Sequence, residues 1–99
     1  MLAACDPNVI NAANVHRIEG LAVVGADYTS VRSALLAAGL REERPTFGPS
    51  RAEWDWDRCF MEDVSYLLSL AGGQRWVCMN LNERGVVIET RADSFVWGV

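Results

Sequence analysis

Several kinds of residue that often mark a function are scarce in this 99-residue sequence. It contains no lysine, one histidine (His16) and three cysteines (Cys5, Cys59 and Cys78), which are far apart and form no Cys-x-x-Cys pair. Zinc sites need closely spaced ligands and disulfide frameworks usually have an even number of cysteines, so we expect buried free thiols instead. Neither a metal site nor a cofactor is predicted.

Long apolar runs are also lacking. No stretch approaches the roughly 20 apolar residues that a transmembrane helix needs. Residues 1–7 lack the basic segment and the apolar stretch of a secretory signal. We therefore expect no membrane association and a cytoplasmic location.

The charge is acidic, with a net value of −4, and all nine basic residues are arginine. This sign disfavours direct binding to the phosphates of a nucleic acid. The planar guanidinium of arginine instead suits paired carboxylates and aromatic faces. With 51% hydrophobic residues, the chain can build the core of one domain over residues 1–99.

A hairpin is predicted over residues 74–91, with its turn at Asn82–Gly85. Asn at the first position and Gly at the fourth are typical of a type I turn. We expect Leu81 to lie opposite Val86, because one face of the hairpin is then apolar. That face would carry Val77, Met79, Leu81, Val86, Ile88 and Thr90, and the other Trp76, Cys78, Asn80, Val87, Glu89 and Arg91.

The N-terminal part predicts a short helix that begins at Asp6–Pro7 and extends to about Asn14. Residues 15–24 are compatible with two structures. The helix can continue, or Leu21–Val24 can form a short buried strand that ends at Gly25.

A second helix is predicted from Asp27, a suitable N-cap, to Ala38. Gly39 stands where a left-handed residue closes a helix, and Leu40 can fold back as in a Schellman motif. Residues 41–49 that follow are interpreted as a linker, in which the charged side chains of residues 41–44 are solvated and pair with one another.

Ser50 and Glu53 form a capping box, which predicts a third helix ending at Gly72–Gly73. Its apolar stripe would consist of Trp56, Phe60, Val64, Leu67, Leu68 and Ala71. Asp57 falls inside this stripe. The alternative is that the helix begins at Asp57 and that residues 54–56 are extended.

A second turn at residues 92–94 and a strand over 95–99 would complete an antiparallel meander with the hairpin. The sequence thus predicts an α+β domain with two or three helices packed on one face of a three- or four-stranded, mostly antiparallel sheet. That sheet would end in a C-terminal β-meander. The expected core includes Leu35, Val64, Leu67, Met79, Leu81 and Ile88.

Catalytic patterns are weak in this chain. A Cys–His dyad would need one of the cysteines beside His16, and no spacing in the sequence indicates this. Recognition is better supported, because tryptophan and arginine are enriched at the energetic centres of interfaces. The partner-binding residues that we predict are Glu53, Trp54, Asp55, Asp57, Glu62 and Trp76.

Seven acids lie between residues 41 and 63, namely Glu42, Glu43, Glu53, Asp55, Asp57, Glu62 and Asp63. Such a surface can occupy a basic groove on another protein. We therefore expect a non-enzymatic protein-binding module that inhibits a larger protein or nucleoprotein complex, as phage-type anti-defence and anti-CRISPR proteins do. The alternatives are a small cytosolic enzyme using Cys or paired carboxylates, and a homodimer formed through the sheet face that carries Trp76.

Overall fold

Two helices and a three-stranded antiparallel sheet make up the part of the chain that the structure describes, residues 7–44, 56–66 and 71–97. The structure is a computed structural model. The order of the strands in the sheet is β1-β2-β3, which confirms the predicted α+β class. The elements are α1 (Pro7–Leu21), α2 (Tyr28–Ala37), β1 (Arg58–Tyr66), β2 (Ala71–Leu81) and β3 (Val87–Trp97).

Helix α2 forms as its local signals predict. The Asp27 carboxylate accepts a hydrogen bond from the Thr29 backbone N–H at 3.1 Å. Gly39 has a φ of +97°, and the Leu40 N–H donates to the Leu35 carbonyl at 3.1 Å. This is the Schellman closure, in which a glycine at C′ satisfies the last carbonyls of the helix.

Of the two structures considered for residues 15–24, the helix continues, because α1 runs through Gly20 to Leu21, and the alternative strand at Leu21–Val24 does not form. A glycine costs a helix only about 1 kcal/mol, which tertiary packing can offset. Ile18 and Ala22 are buried in the core. The loop that follows lies along the start of β3, where Gly25 N–H donates to the Val87 carbonyl at 2.7 Å.

The third predicted helix is wrong, because residues 58–66 form strand β1. Trp56, Phe60 and Val64 are spaced by four, and this spacing satisfies both the helical period of 3.6 and the strand period of 2. Phe60 and Cys59 are buried on opposite faces of the sheet. The polar alternation that would reveal a strand is therefore missing. The parts of that prediction over residues 50–55 and 67–70 lie outside the described residues.

The hairpin turn is confirmed, but its register is not the predicted one. Gly85 N–H donates to the Asn82 carbonyl at 3.0 Å, and Gly85 has a φ of +76°. Leu81 lies opposite Val87, and an irregularity then shifts the pairing of the following residues. Val87 is consequently buried, whereas Ile88, expected in the core, is 54% exposed.

Strand β3 continues without interruption from Val87 to Trp97, so the turn predicted at residues 92–94 is wrong. The meander therefore consists of β1, β2 and β3. No helix in the described part of the chain combines the length and the apolar character that crossing a membrane requires.

Among the described residues the core has two parts, one on each face of the sheet. The part on the helix side consists of Ile18, Ala22, Val31, Leu35, Leu40, Phe60, Val77, Met79 and Val87. The other consists of Cys59, Met61, Trp76 and Cys78, with Trp56 packed against them. Of the residues predicted for the core, Leu35 and Met79 are buried and Leu81 packs against the helix-side cluster.

Cys59 and Cys78 form a disulfide, so the expectation of free thiols is wrong for these two residues. They lie directly opposite each other in the β1–β2 pair, with 4.1 Å between their Cα atoms. Their separation of 19 residues in the sequence carries no pairing signal by itself. The pairing follows only once residues 58–66 are known to be a strand.

Candidate partner-binding site

A short segment after α2 extends the sheet beyond β1. Arg41 and Met61 exchange two backbone hydrogen bonds of 2.9 Å, and Glu43 N–H donates to the Cys59 carbonyl at 3.1 Å. Because side chains alternate along an extended segment, Glu42 points to the opposite face from Arg41 and Glu43. The two faces of this segment therefore carry two separate groups of charges.

Glu42 is the centre of the first group. Its Oε1 accepts hydrogen bonds from the Tyr28 hydroxyl at 2.9 Å and from Arg32 Nε at 3.1 Å. Its Oε2 lies 3.7 Å from Arg58 Nη1, and the Arg58 guanidinium stacks 5.6 Å from the centre of the Tyr28 ring. The group therefore joins the first turns of α2, the segment that follows α2, and the start of β1.

This arrangement shifts two ionisation equilibria in opposite directions. The hydrogen bond from Tyr28 lowers the pKa of the Glu42 carboxyl, and the nearby guanidinium groups of Arg32 and Arg58 lower it further. Burial raises the pKa of the Tyr28 hydroxyl, and the hydrogen bond to Glu42 adds to that rise. At neutral pH the carboxylate is thus fixed in its charged form as an acceptor.

The second group lies on the other face of the same segment. The Arg41 guanidinium donates to both Glu43 and Asp63, and its Nη2 is 2.8 Å from Asp63 Oδ2. Gln74 Nε2 donates to the second oxygen of Asp63 at 3.1 Å. The hydrogen bond from Arg41, followed by that from Gln74, lowers the pKa of the Asp63 carboxyl.

A cleft of about 240 Å³ opens between the segment after α2 and the start of β1. Its lining combines three carboxylates, two guanidinium groups and one cysteine: Glu42, Glu43, Asp57, Arg44, Arg58 and Cys59. Arg44 donates to the carbonyl of Trp56, and its Nη1 lies 3.7 Å from Cys59 Sγ. The formal charge of this lining is −1.

Asp57 is held at this cleft by the neighbouring strand. Its carboxylate accepts the Leu81 N–H at 2.8 Å, and its own N–H donates to Asn80 Oδ1 at 3.0 Å. Of the predicted partner-binding residues, Asp57 is the described one that lines the cleft. Glu53, Trp54 and Asp55 lie outside the described residues.

The other two predicted residues lie elsewhere. Glu62 is on the helix side of the sheet, where its carboxylate pairs with Arg17 at 3.1 Å and Arg75 at 3.0 Å. Trp76 is 1% exposed in the cluster around the disulfide. The Trp76 ring therefore offers almost no accessible surface to a partner protein or to a second copy of the chain.

Glu42 and Glu43 belong to the acidic surface predicted from the sequence, but no local pattern places them at a cleft. The sequence also predicts a linker over residues 41–49 with self-paired charges at Arg41–Arg44, and its residues 45–49 lie outside the described residues. One such pair exists, between Arg41 and Glu43. The other partners come from α2 and from β1, which are distant in sequence. No local pattern could have indicated them.

Metal-binding groupings are not seen among the residues described. His16 is exposed on α1, and Cys59 and Cys78 are bonded to each other. No three His, Cys, Asp or Glu side chains in the described ranges are grouped so that they could hold a metal ion. Comparisons with protein-family models, with curated proteins and with solved structures found no match for this chain.

Proposed function

We propose that this chain is a small protein-binding module rather than an enzyme, and that the cleft beside β1 receives a basic side chain of its partner. The observation that supports this most is the set of charged groups held around a cleft of about 240 Å³. Asp57 is fixed by Leu81, and Glu42 by Tyr28 and Arg32. Groups that are already ordered cost less conformational entropy when a partner binds.

Two of the cleft carboxylates each have one oxygen that can accept a hydrogen bond from a partner. Asp57 uses Oδ2 for Leu81, and Glu43 uses Oε2 for Arg41. Each keeps a second oxygen that can accept a hydrogen bond from a lysine or arginine of the partner, a charge-assisted bond of the stronger kind. The net charge of −4 would also attract a basic surface at long range.

The biological role that we propose is inhibition of a larger protein or nucleoprotein complex in the cytoplasm, by occupation of a basic functional surface. Phage-type anti-defence proteins, including anti-CRISPR proteins, are the class to which this composition is comparable. Glu53, Trp54 and Asp55 lie two to four residues before the cleft residue Asp57 in the sequence. They would extend the acidic surface and supply an aromatic anchor.

The experiment captures partners from a lysate of the native host and then measures binding kinetics of the captured protein at two salt concentrations. Glu43→Arg reverses one cleft charge at the surface, and Asp57→Asn removes another while keeping an acceptor for Leu81. Glu19→Arg is the matched control, because Glu19 is exposed on α1, which packs mainly on β2 and β3.

We expect Glu43→Arg combined with Asp57→Asn to slow association and to weaken its dependence on salt, since rim charges act mainly on the association rate. Glu19→Arg, which also raises the net charge by two, should slow association much less. Equal binding by the doubly altered chain, with its fold confirmed by circular dichroism, would rule out the cleft as the partner site.

A further inference from the structure

Strand β3 is at one edge of the sheet, and within the described part of the chain most of its outer side has no strand beside it. Val87 is paired there with the loop before α2, through hydrogen bonds to Gly25 and Ala26 of 2.7 and 2.9 Å. Beyond Val87, no backbone hydrogen bond from the described residues reaches the outer side of residues 88–97. An edge of this length can pair with another strand.

The direction of the peptide groups along β3 follows from the turn. Asn82 N–H donates to the Val86 carbonyl at 3.0 Å, so the backbone N–H of Asn82 faces β3. Along a strand, the peptide N–H and carbonyl groups of successive residues face opposite edges. The peptide groups of Cys78 therefore also face β3, and those of its partner Arg91 face β2. The next residue, Ala92, therefore presents both its N–H and its carbonyl at the outer edge.

The charges along this edge alternate in sign. Arg91 lies opposite Cys78, and Asp93 lies opposite Trp76, which places both charges on the face of the sheet away from the helices. Both residues are exposed. Within the described part of the chain, neither forms a salt bridge.

We propose that a second copy of this chain pairs with β3, strand against strand in antiparallel orientation, about a two-fold axis at Ala92. A two-fold contact pairs one surface with itself. Ala92 of each copy then donates its N–H to the carbonyl of Ala92 in the other. Arg91 lies opposite Asp93 of the second copy, and because of the symmetry this ion pair forms twice.

The charges disfavour a two-fold axis at either adjacent residue, Arg91 or Asp93. An axis at Arg91 would place Glu89 opposite Asp93 of the second copy, and directly opposed like charges destabilise a sheet. An axis at Asp93 would place Arg91 opposite Phe95 and leave it without a carboxylate. Neither Arg91 nor Asp93 presents its peptide groups outward, so the axis at Ala92 also satisfies the hydrogen bonds.

The dimer would join the two sheets into one sheet of six strands, with β3 in the middle and β1 at both ends. The cleft beside β1 lies at the opposite edge of the sheet from β3. Both clefts would therefore stay accessible, and the assembly would present two copies of the proposed binding site. Two linked sites bind a repeated or dimeric partner more tightly than one.

The test is sedimentation of the full chain across the micromolar range, with three variants whose folding is checked by circular dichroism. Arg91→Asp and Asp93→Arg each place like charges opposite each other at both symmetric positions. Each should raise the dissociation constant of the dimer about tenfold or more. The double variant, Arg91→Asp with Asp93→Arg, exchanges the two charges, so the ion pairs form again and the dimer should return to nearly its original strength.

Two results would overturn the proposal. The first is an unaltered chain that stays monomeric throughout the micromolar range, in which case the charges on β3 protect the edge from pairing. The second is a folded double variant that dimerises no better than the single variants, because the axis would then lie elsewhere. Neither result depends on the identity of the partner at the cleft.

Discussion

The Asp57 carboxylate accepts the backbone N–H of Leu81 at 2.8 Å. β1 starts at Arg58, which lies opposite Met79, so β2 extends beyond the start of β1. The Leu81 N–H therefore has no strand residue beside it, and Asp57 supplies the acceptor. In the other direction, Asp57 N–H donates to Asn80 Oδ1 at 3.0 Å.

This pair of hydrogen bonds gives a first prediction. Asp57→Ala removes the acceptor of the Leu81 N–H and should lower the free energy of unfolding by about 1 kcal/mol. Asp57→Asn keeps an oxygen in place and should lower it by less. Denaturant unfolding of the three proteins checks this, and an Ala variant as stable as the unaltered chain would show that water replaces the carboxylate without cost.

Asp57 also shows how far the sequence could lead. It was the residue that did not fit the predicted third helix, and such a misfit is expected where a local assignment is wrong or where function is served. The misfit of Asp57 is explained by a wrong assignment of secondary structure, because residues 58–66 are a strand and not a helix. The apolar spacing of Trp56, Phe60 and Val64 could not separate the two structures, since it agrees with both periods.

The sequence predicts an element correctly where the residues that cap or close this element are adjacent to it in the chain. Helix α2 is the example, because its N-cap, Asp27, and its closing residues, Gly39 and Leu40, are adjacent to it. The register of the hairpin failed because the loop at Gly25 and Ala26 pairs with Val87. The group around Glu42 was missed for the same reason, because it joins three segments that are distant in sequence.

The disulfide gives a second prediction. Closing a loop of this length, 19 residues in sequence separation, typically stabilises a domain by about 3 kcal/mol. Replacing both Cys59 and Cys78 by Ala should lower the free energy of unfolding by about this amount, and reduction of the unaltered chain should do the same.

Reduction of the Cys59→Ala, Cys78→Ala double variant is the control and should leave its denaturant midpoint unchanged, because the bond is already absent. Identical midpoints for the oxidised and reduced chains would contradict a stabilising bond. The measurement also bears on the predicted cytoplasmic location, because the cytosol keeps most thiols reduced. A chain that stays folded after reduction is compatible with that location.

Two glycines provide a third, paired prediction. Gly85 has a φ of +76°, a conformation that costs a residue with a Cβ atom about 1–2 kcal/mol. Gly20 lies in α1, with no described atom from outside its own stretch of helix within 4 Å of where a Cβ would be, and an alanine in a helix is favoured over glycine by up to about 1 kcal/mol. Gly85→Ala should therefore lower the thermal midpoint, and Gly20→Ala should raise it. If both variants shift the thermal midpoint in the same direction, either the left-handed conformation of Gly85 or the helical position of Gly20 is wrong.

The last prediction concerns Tyr28 and Glu42. The pKa of the Glu42 carboxyl lies below its ordinary value of 4.5, mainly because of the hydrogen bond from Tyr28. A carboxyl whose pKa is lower in the folded chain than in the unfolded chain stabilises the fold at pH values above the unfolded pKa. That contribution is lost as the pH falls through the ordinary value toward the lowered one.

Tyr28→Phe removes the hydrogen bond and keeps the ring beneath Arg58. The pKa of Glu42 should therefore rise toward 4.5, and the variant should lose less stability between neutral pH and acid than the unaltered chain does. Carbon-detected NMR titration of the Glu42 carboxyl gives the pKa, and denaturant unfolding at the two pH values gives the stability. If the pKa of Glu42 is unchanged in Tyr28→Phe, the arginines alone lower it, and the Tyr28 hydroxyl does not organise this side of the cleft.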